Sequence, residues 1–503
     1  MPKVLFVPAG RETAFFCIGA CFHRRQRVRE IALTVDGVRH RPAAQRMPRA
    51  GLFHKLHPNL PPGGAKSIDG DPDSRQDPKL LSYRSGFWAT VPIGQVDSEG
   101  GVDLGIEARL ADGTTASSPL GTIRVVEPPD PVRHDGPPSS AGLPLIAICM
   151  AAYNPNIQLF RDQVESIRAQ TYPNWVCVIS DDCSEPERFD QVAEVIGGDD
   201  RFILSRFEYN QGFYRNFERA LQLAPAHADL LALSDQDDRW YPDKLEALQE
   251  AIGSAELAYS DLKRVDVAGN VRSETLWEGR RNNSTNFASL LISNTIVGAS
   301  CLVRRRVIEQ ATPFPFGPGW DFHDHWLALV AMAIGDIAYV DRPLYDQVQH
   351  PDAILGRVGA GQGGSGNEES GGLRDRIPNP RGFLNRWRSA YFSLYLQREF
   401  HARIVLARCG AQLTRRKRRA LRLMVAAARS PLALAWLAVR PVRALWGRNE
   451  TLGLEESLAR GILWPYLIRL RALGHQTPGR WEDDVKPSKR MPQVRQRAWL
   501  SRR

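Results

Sequence analysis

The chain has 503 residues, 43% of them hydrophobic, enough to bury several cores, so two or three domains are expected. Seven cysteines, an odd number without a C-x-x-C pair, exclude a disulfide framework and a zinc site, and no stretch offers the roughly 20 uncharged apolar residues of a membrane-spanning helix. The formal charge of +10 is concentrated in the last 130 or so residues, which points that end toward something anionic.

The first residues, "MPKVLFVPAGRETAFFCIGACFHRR", carry apolar patches interrupted by Arg11 and Glu12 and lack the order of a secretion signal. Cys149 and Cys177 lie in apolar runs and read as small core residues of a reducing compartment, so a cytoplasmic location is expected. Residues 1–126 hold short alternating or β-branched runs, among them "REIALTVDG", "SGFWATVPI" and "VDLGIEARLADG", separated by Gly, Asp-Gly and Pro turns. That spacing predicts a small β-sandwich. Nothing beyond scattered aromatics (Phe87, Trp88) suggests a ligand for it, and a packing role is favoured over carbohydrate binding.

Residues 127–144, rich in Pro, Gly and Ser, form an expected linker. Beyond it the rhythm changes. "LIAICM", "WVCVIS", "FILS" and "DLLALSD" alternate with amphipathic stretches such as "PERFDQVAEVI" and "YRNFERALQLA". Strands alternating with helices predict a mostly parallel sheet with helices on both faces, and such sheets bind ligands beyond the carboxyl ends of their strands.

Polar clusters fall where that rule requires them. "ICM" runs into Ala152, Tyr153 and Asn154; "CVIS" into Asp181 and Asp182; "LALS" into Asp235, Gln236, Asp237 and Asp238. Three carboxylates crowded at one strand end repel one another unless a cation lies between them, and Mg²⁺ or Mn²⁺ favours carboxylate oxygen and brings phosphates with it. The competing account of each cluster is a turn or helix cap, with Asp238 capping the helix that begins near Pro242.

Seven stretches in order, "MAAYNPN", "ISDDCS", "NQGFYRNF", "LSDQDDRWYPDKL", "NTIVGASCLVRR", "FHDHW" and "VQHPDAILG", resemble the family 2 glycosyltransferases of GT-A fold, particularly the rhamnosyltransferase-like branch of bacterial surface-polysaccharide synthesis. The resemblance covers roughly residues 143–357, within an expected GT-A domain at 145–357. It implies that Ala152, Tyr153 and Asn154 line the base and ribose of a nucleotide, that Asp182 accepts a hydrogen bond from it with Asp181 as helper, and that Asn210, Gly212 and Trp240 lie on the donor side. Asp235 and Asp237 would bind the sugar diphosphate through Mn²⁺ or Mg²⁺, with His350 approaching the metal or the diphosphate. Where the family usually has Tyr-Arg-Gln-His, this chain has Gln347-Val348-Gln349-His350, so an arginine contact to phosphate is missing there. Asp324 would be the general base of an inverting transfer, with His323, Trp326 and Asp238 on the acceptor side. Taken by itself, Asp324 reads as a helix-terminal carboxylate of normal or lowered pKa. His323 and His325 make a poor metal pair, because alternating helical positions point in different directions.

Residues 358–376 are too Gly-rich to pack alone and read as a lid or a linker. Residues 377–503 predict a basic helical region. "RRKRRALRLMVAAARSPLALAWLAVRPVRALWGR" mixes arginines with Leu, Ala and Trp, and Arg429, Arg440 and Arg443 exclude a comfortable span. Contact with an anionic membrane surface, the inner face of the plasma membrane, is favoured over a bundle packed on the enzyme. A nucleic-acid partner is not expected, for want of a groove-reading or base-stacking module. The expected function is transfer of a sugar, L-rhamnose from dTDP-rhamnose or another sugar from a UDP donor, to a glycan or lipid-linked glycan. Two rivals are a non-catalytic glycan-binding protein on a decayed transferase domain, which would have lost carboxylates, and a nucleotidyltransferase, which would carry a basic Gly-rich loop after the first strand.

Overall fold

The computed structural model describes residues 4–6, 12–60, 75–94, 100–126, 142–278, 280–318, 322–350, 380–446, 450–473, 475 and 477–478. The Gly-rich stretch 358–376 and nearly all of the expected linker lie outside the described residues. The first eight strands are β1 (Val4–Phe6), β2 (Thr13–Ala20), β3 (Val28–Val35), β4 (Val38–His40), β5 (Ala44–Met47), β6 (Gly86–Ile93), β7 (Gly100–Leu110) and β8 (Thr115–Val126). They form a five-stranded sheet in the order β1-β8-β7-β3-β4 and a three-stranded sheet in the order β2-β6-β5. Alternation with period two sends Ile31, Leu33, Val35, Val102, Leu104 and Ile106 inward from the first sheet, where they meet Phe15, Phe87 and Val91 of the second. Between β5 and β6 lie α1 (Ala50–Leu56) and a 3₁₀ turn, Leu81–Arg84. Asp77 ties them together: it accepts the amides of Leu81 and Ser82 at 2.7 and 2.9 Å and lies 3.0 Å from His57 Nε2.

The second sheet system comprises β9 (Ile146–Ala152), β10 (Trp175–Asp181), β11 (Phe202–Arg206), β12 (Leu230–Ser234), β13 (Arg239–Trp240), β14 (Leu257–Asp266), β15 (Val271–Ser273), β16 (Cys301–Arg304) and β17 (Ile337–Gln349). Its helices are α2 (Ile157–Arg168), α3 (Pro186–Ile196), α4 (Phe213–Leu223), α5 (Lys244–Ile252), α6 (Phe287–Ile292), α7 (Arg305–Ala311) and α8 (His323–Ile334). The strand order is β11-β10-β9-β12-β16-β14-β17-β13, with β15 on β14. Successive residues of β9 enter opposite cores: Ile146, Ile148 and Met150 pack with Phe160 and Val164 of α2, whereas Ala147 and Cys149 pack with Phe217 and Leu221 of α4. Burial on both faces explains the uninterrupted apolar runs.

Only half of the sheet follows the parallel expectation. β9, β10, β11 and β12 are parallel, but β16 is antiparallel to both β12 and β14. The reason is its approach. The turn Gly298–Ser300 lies at the carboxyl end of β12, so β16 must run back through the sheet.

The C-terminal helices are α9 (Pro380–Ser389), α10 (Leu396–Arg408), α11 (Arg415–Ala426), α12 (Pro431–Val439) and α13 (Leu454–Ala472), with a π-helical turn, Ala390–Tyr395, leading into α10. They share one core with α8 and with the three-stranded sheet. Trp88 of β6 donates its indole N–H to the Tyr391 hydroxyl at 3.0 Å and lies edge-on to Phe392 and stacked with Trp464, at ring separations of 5.1 and 6.2 Å. Gly461 permits this packing, because a Cβ there would come within 2.8 Å of the backbone of Ala390 and Tyr391.

Two arginines expected to face a membrane are engaged internally. Arg440 lies 3.5 Å from Glu455, and Arg443 lies 2.7 Å from Glu450; both also donate to the Ser289 hydroxyl. Arg429, Arg415, Arg416, Arg419 and Arg422 remain exposed. Among the described residues no single helix is long and apolar enough to cross a membrane.

Trp88→Ala removes the aromatic that joins the sandwich to the C-terminal helices, and it should cost about 3–5 kcal/mol in urea denaturation. Trp446→Ala, at a position 71% exposed, should leave the transition unchanged.

Candidate active site

The turns after β9, β10 and β12 interlock. The Ala152 carbonyl accepts the Asp182 amide at 2.9 Å and the Asn216 side chain at 3.1 Å. The Tyr153 amide donates to Gln236 Oε1 at 2.8 Å, tying the first strand end to the Asp-Gln-Asp turn, while the Tyr153 ring stays half exposed. Asn154 has a left-handed backbone, φ 42°, which asparagine tolerates better than most residues. Its side-chain oxygen accepts the Glu185 amide at 2.8 Å.

Asp182 is held by the next helix. Its two carboxylate oxygens accept the amides of Gln211 and Gly212, each at 2.8 Å, and Asn210 donates to its carbonyl at 3.1 Å. Burial nevertheless pushes the carboxyl up to about 6. Gly212, at φ 85° and ψ 159°, occupies backbone space that only glycine uses readily, and this conformation aims the two amides. Asp181 is different. Fully buried, it accepts both the amide and the hydroxyl of Ser184, so it closes its own turn and has no exposed edge for a ligand.

At the end of β12, Asp235 is pushed up to about 7, by burial first and then by the charges of Asp237 and Asp324, with Lys244 opposing. Asp237 Oδ2 lies 2.8 Å from His350 Nε2, so His350 reaches the carboxylate expected to bind metal. Asp238 is not on the acceptor side. It is 2% exposed, accepts the Val348 amide at 3.4 Å, and burial raises its pKa well above the carboxylate range. Trp240 is likewise no donor contact: it is 4% exposed, and pairing of β13 with β17 turns it beneath the site opposite Tyr345.

Between these residues lies Lys244, which the sequence reading missed. It has no exposed surface; its Nζ donates to the Ala299 carbonyl at 2.6 Å and stands 3.5 Å over the Trp240 ring and 4.5 Å over Tyr345. Burial lowers its pKa strongly, while Asp238 and Asp235 pull it back up. The available signal was a lysine at the first position of α5 beside the buried Leu245 and Leu248.

The start of α8 completes the site. Asp324 accepts the His325 amide at 2.5 Å and the Gly298 amide, and still its carboxyl is pushed up to about 7 by burial. This corrects the expectation of a normal or lowered value. A helix N-terminus favours a carboxylate by about 0.3–1 kcal/mol, whereas desolvating one in a protein interior costs several. The positive charge of Arg398 on α10 acts on the same carboxylate. His323 stacks on Phe217 at 3.6 Å, with its Nε2 so close to Gly298 that a Cβ there would lie 2.5 Å away. Trp326 is fully buried and donates to the Ala311 carbonyl at 3.0 Å. Neither faces an acceptor, because the helix turns both into the core. His325 Nε2 lies 2.7 Å from the Leu290 carbonyl, so the two histidines do diverge.

Among the described residues no three His, Cys, Asp or Glu side chains form a ready-made metal cage. The donor set still suits Mg²⁺ or Mn²⁺. Asp235 and Asp237 offer oxygen, their excess negative charge raises Asp235, and such ions commonly complete their shells with substrate phosphates and water.

Residues 147–311 match the sequence model of the family described as Glycosyl transferase family 2. A putative teichuronic acid biosynthesis glycosyltransferase, TuaG of Bacillus subtilis, is 31% identical over 117 residues, 23% of this chain and 45% of that protein. An uncharacterized protein, y4gI of Sinorhizobium fredii, is 30% identical over 165 residues, 32% of this chain and 18% of that protein. The chain thus spans less than half the length of these curated relatives. The structure of S. aureus TarS 1–349 with UDP-GlcNAc superposes with a TM-score of 0.38 at 14% identity, covering 65% of this chain and 91% of that one. The fold class is a GT-A-type α/β domain between a β-sandwich and a helical region, and its sheet is mixed.

Gly212→Ala forces a side chain into the conformation that aims two amides at Asp182. It should cost about 1–3 kcal/mol of stability in denaturant titration.

Proposed function

From a chain whose residues 147–311 carry the family 2 glycosyl transferase domain, we propose a metal-dependent, inverting glycosyltransferase of cell-surface polysaccharide synthesis. Its donor is a nucleoside diphosphate sugar, with dTDP-L-rhamnose first by motif order and UDP-sugars next, and its acceptor is a glycan or lipid-linked glycan. The observation that carries the reading is the convergence of Asp235, Asp237 and Asp324 at one sheet edge, close enough for Asp237 and Asp324 both to raise Asp235. A decayed domain would not keep that set.

Each residue has a task in this reaction. Tyr153 and Asp182 border the nucleotide cradle, and the Gln236–Tyr153 bond holds that cradle against the Asp-Gln-Asp turn. A bound Mg²⁺ or Mn²⁺, held by Asp235 and Asp237, would neutralise charge on the departing diphosphate. Asp324 takes the proton from the acceptor hydroxyl as that oxygen attacks the anomeric carbon opposite the diphosphate. The bond to the diphosphate oxygen breaks, the glycosidic bond forms, and the configuration inverts. With its carboxyl pushed up to about 7, Asp324 is matched to proton transfer near neutrality.

In the same proposal the enzyme works in the cytoplasm, peripherally on the inner face of the plasma membrane. Leu432, Val439 and Trp446 are exposed on the C-terminal helices, near in sequence to the exposed arginines of α11, which supports the reading. Vesicles containing anionic lipid should bind the protein in flotation, and neutral vesicles should not. Equal, negligible binding to both would sink the idea.

The enzyme reading is tested by melting the wild type and Asp324→Asn with dTDP, UDP and GDP, with and without Mn²⁺, and then measuring turnover of the matching sugar donor. One nucleotide should raise the melting temperature of both proteins only with Mn²⁺. Turnover in Asp324→Asn should fall about 10²- to 10⁴-fold. A base must be ionised to accept a proton, so wild-type turnover should rise about tenfold per pH unit below 7 and level off above it. Full turnover in the variant would remove Asp324 from the role.

A further inference from the structure

A cavity of about 220 Å³ opens at the rim of the N-terminal sandwich and shares no lining residue with the site of Asp235 and Asp324. Arg27, Arg46, Lys79 and Arg84 line it, and among the described residues no aspartate or glutamate does. Among the described residues, Arg27, Arg46 and Lys79 have no carboxylate partner. Elsewhere in this chain arginines find carboxylates readily, as Arg440 and Arg443 do. Arg27, Arg46 and Lys79, set around one concavity without a carboxylate partner, repel one another, and an anion entering between them relieves that repulsion.

The backbone is bent toward this arrangement. Arg46 has φ 58°, at an irregularity in the pairing of β5 with β6, and Leu80, in the cavity wall, has φ 56°. Left-handed backbone is unfavourable for a side-chain-bearing residue. Of six such residues among those described, Asn154 and Cys183 lie at the nucleotide cradle and Arg46 and Leu80 line this cavity. Strain of this kind collects where side chains must be aimed. His23, also in the wall, accepts the amides of Arg25 and Gln26 on Nδ1 at 3.3 and 3.1 Å, so its neutral ring carries the proton on Nε2, a further donor.

We propose that this cavity binds the phosphate or carboxylate of one anionic sugar unit, making the sandwich a docking module for an acidic glycan. Guanidinium forks match both acid groups in geometry. The volume suits a single charged monosaccharide rather than a long chain. That the anion is borne by a sugar rests on the transferase reading; that the cavity takes an anion does not. Holding an acidic unit here raises the local concentration of the rest of the glycan without touching the reacting atoms.

The test is calorimetric titration of the full chain at low salt without divalent metal, using glucose 1-phosphate, glucuronic acid, inorganic phosphate and glucose as probes. The pocket variant is Arg46→Asn/Lys79→Gln, asparagine being chosen because it tolerates left-handed backbone. The control is Arg415→Gln/Arg416→Gln, which removes the same charge from the exposed face of α11. The wild type should bind one acidic sugar and not glucose, the pocket variant should bind it roughly tenfold more weakly or worse, and the control should match the wild type. Tighter binding of glucose 1-phosphate than of glucuronic acid assigns phosphate, and the reverse order assigns carboxylate. Binding unaffected by the pocket variant, equal loss in the control, or no binding of any acidic probe overturns the proposal. Inorganic phosphate binding as tightly as the acidic sugar overturns its sugar part. UDP binding with Mn²⁺, measured in parallel, should survive in the pocket variant; its absence from the wild type would count against the transferase reading and leave the acidic-sugar result standing.

Discussion

Negative charge crowded at one sheet edge is the constraint on which the site depends. Asp235, Asp237, Asp238 and Asp324 come from two elements; burial raises Asp235, Asp238 and Asp324 above their usual range, and repulsion from neighbouring carboxylates adds to it for Asp235 and Asp238. Such a cluster survives in a fold only if something partly offsets it from below. Lys244 is that offset: buried against Trp240, Tyr345 and the Ala299 carbonyl, it faces Asp238 and Asp235. One cation beneath several carboxylates offsets only part of the cluster, and oxygen ligands gathered in this way suit a divalent cation.

The mixed half of the sheet follows from the same requirement. Asp324 must enter from the far side of the edge, and only a strand running back from that edge can deliver its support. β16, antiparallel to β12, begins at the turn that holds Gly298. The Gly298 amide then binds Asp324, and the missing side chain of Gly298 makes room for the His323 ring. A fully parallel sheet would start its next strand at the opposite edge, and the amide would be lost.

This difference explains what could be read in the sequence. Apolar runs ending abruptly in polar residues mark strand ends without any knowledge of partners, so the turns bearing Asp182, Asp235 and Asp237 were legible. Strand direction was not, because a strand buried on both faces has the same composition either way round. Aromatics next to motifs misled for a related reason. Trp240 and Trp326 flank candidate site residues by sequence, but register in one case and helical phase in the other turn them into the core. Lys244 and Gly298 were not legible because their partners are distant in sequence, Ala299 standing 55 positions after Lys244.

The outer modules are bound to this centre by packing rather than by a tether alone. Trp88 carries the sandwich into the core formed by α8 and the C-terminal helices, and α8 is the helix whose first turn bears Asp324. Arg398 on α10 adds a positive charge that acts on Asp324 from the same core. The orientation of Asp324 therefore depends on packing from both the sandwich and the C-terminal helices, which lie outside residues 147–311. A close-packed interior transmits displacement rather than absorbing it, so a change in how the sandwich seats against α13 and the π-helical turn is felt along α8. The sandwich is thus joined to the helix bearing Asp324 by the packing of Trp88, Tyr391 and Trp464.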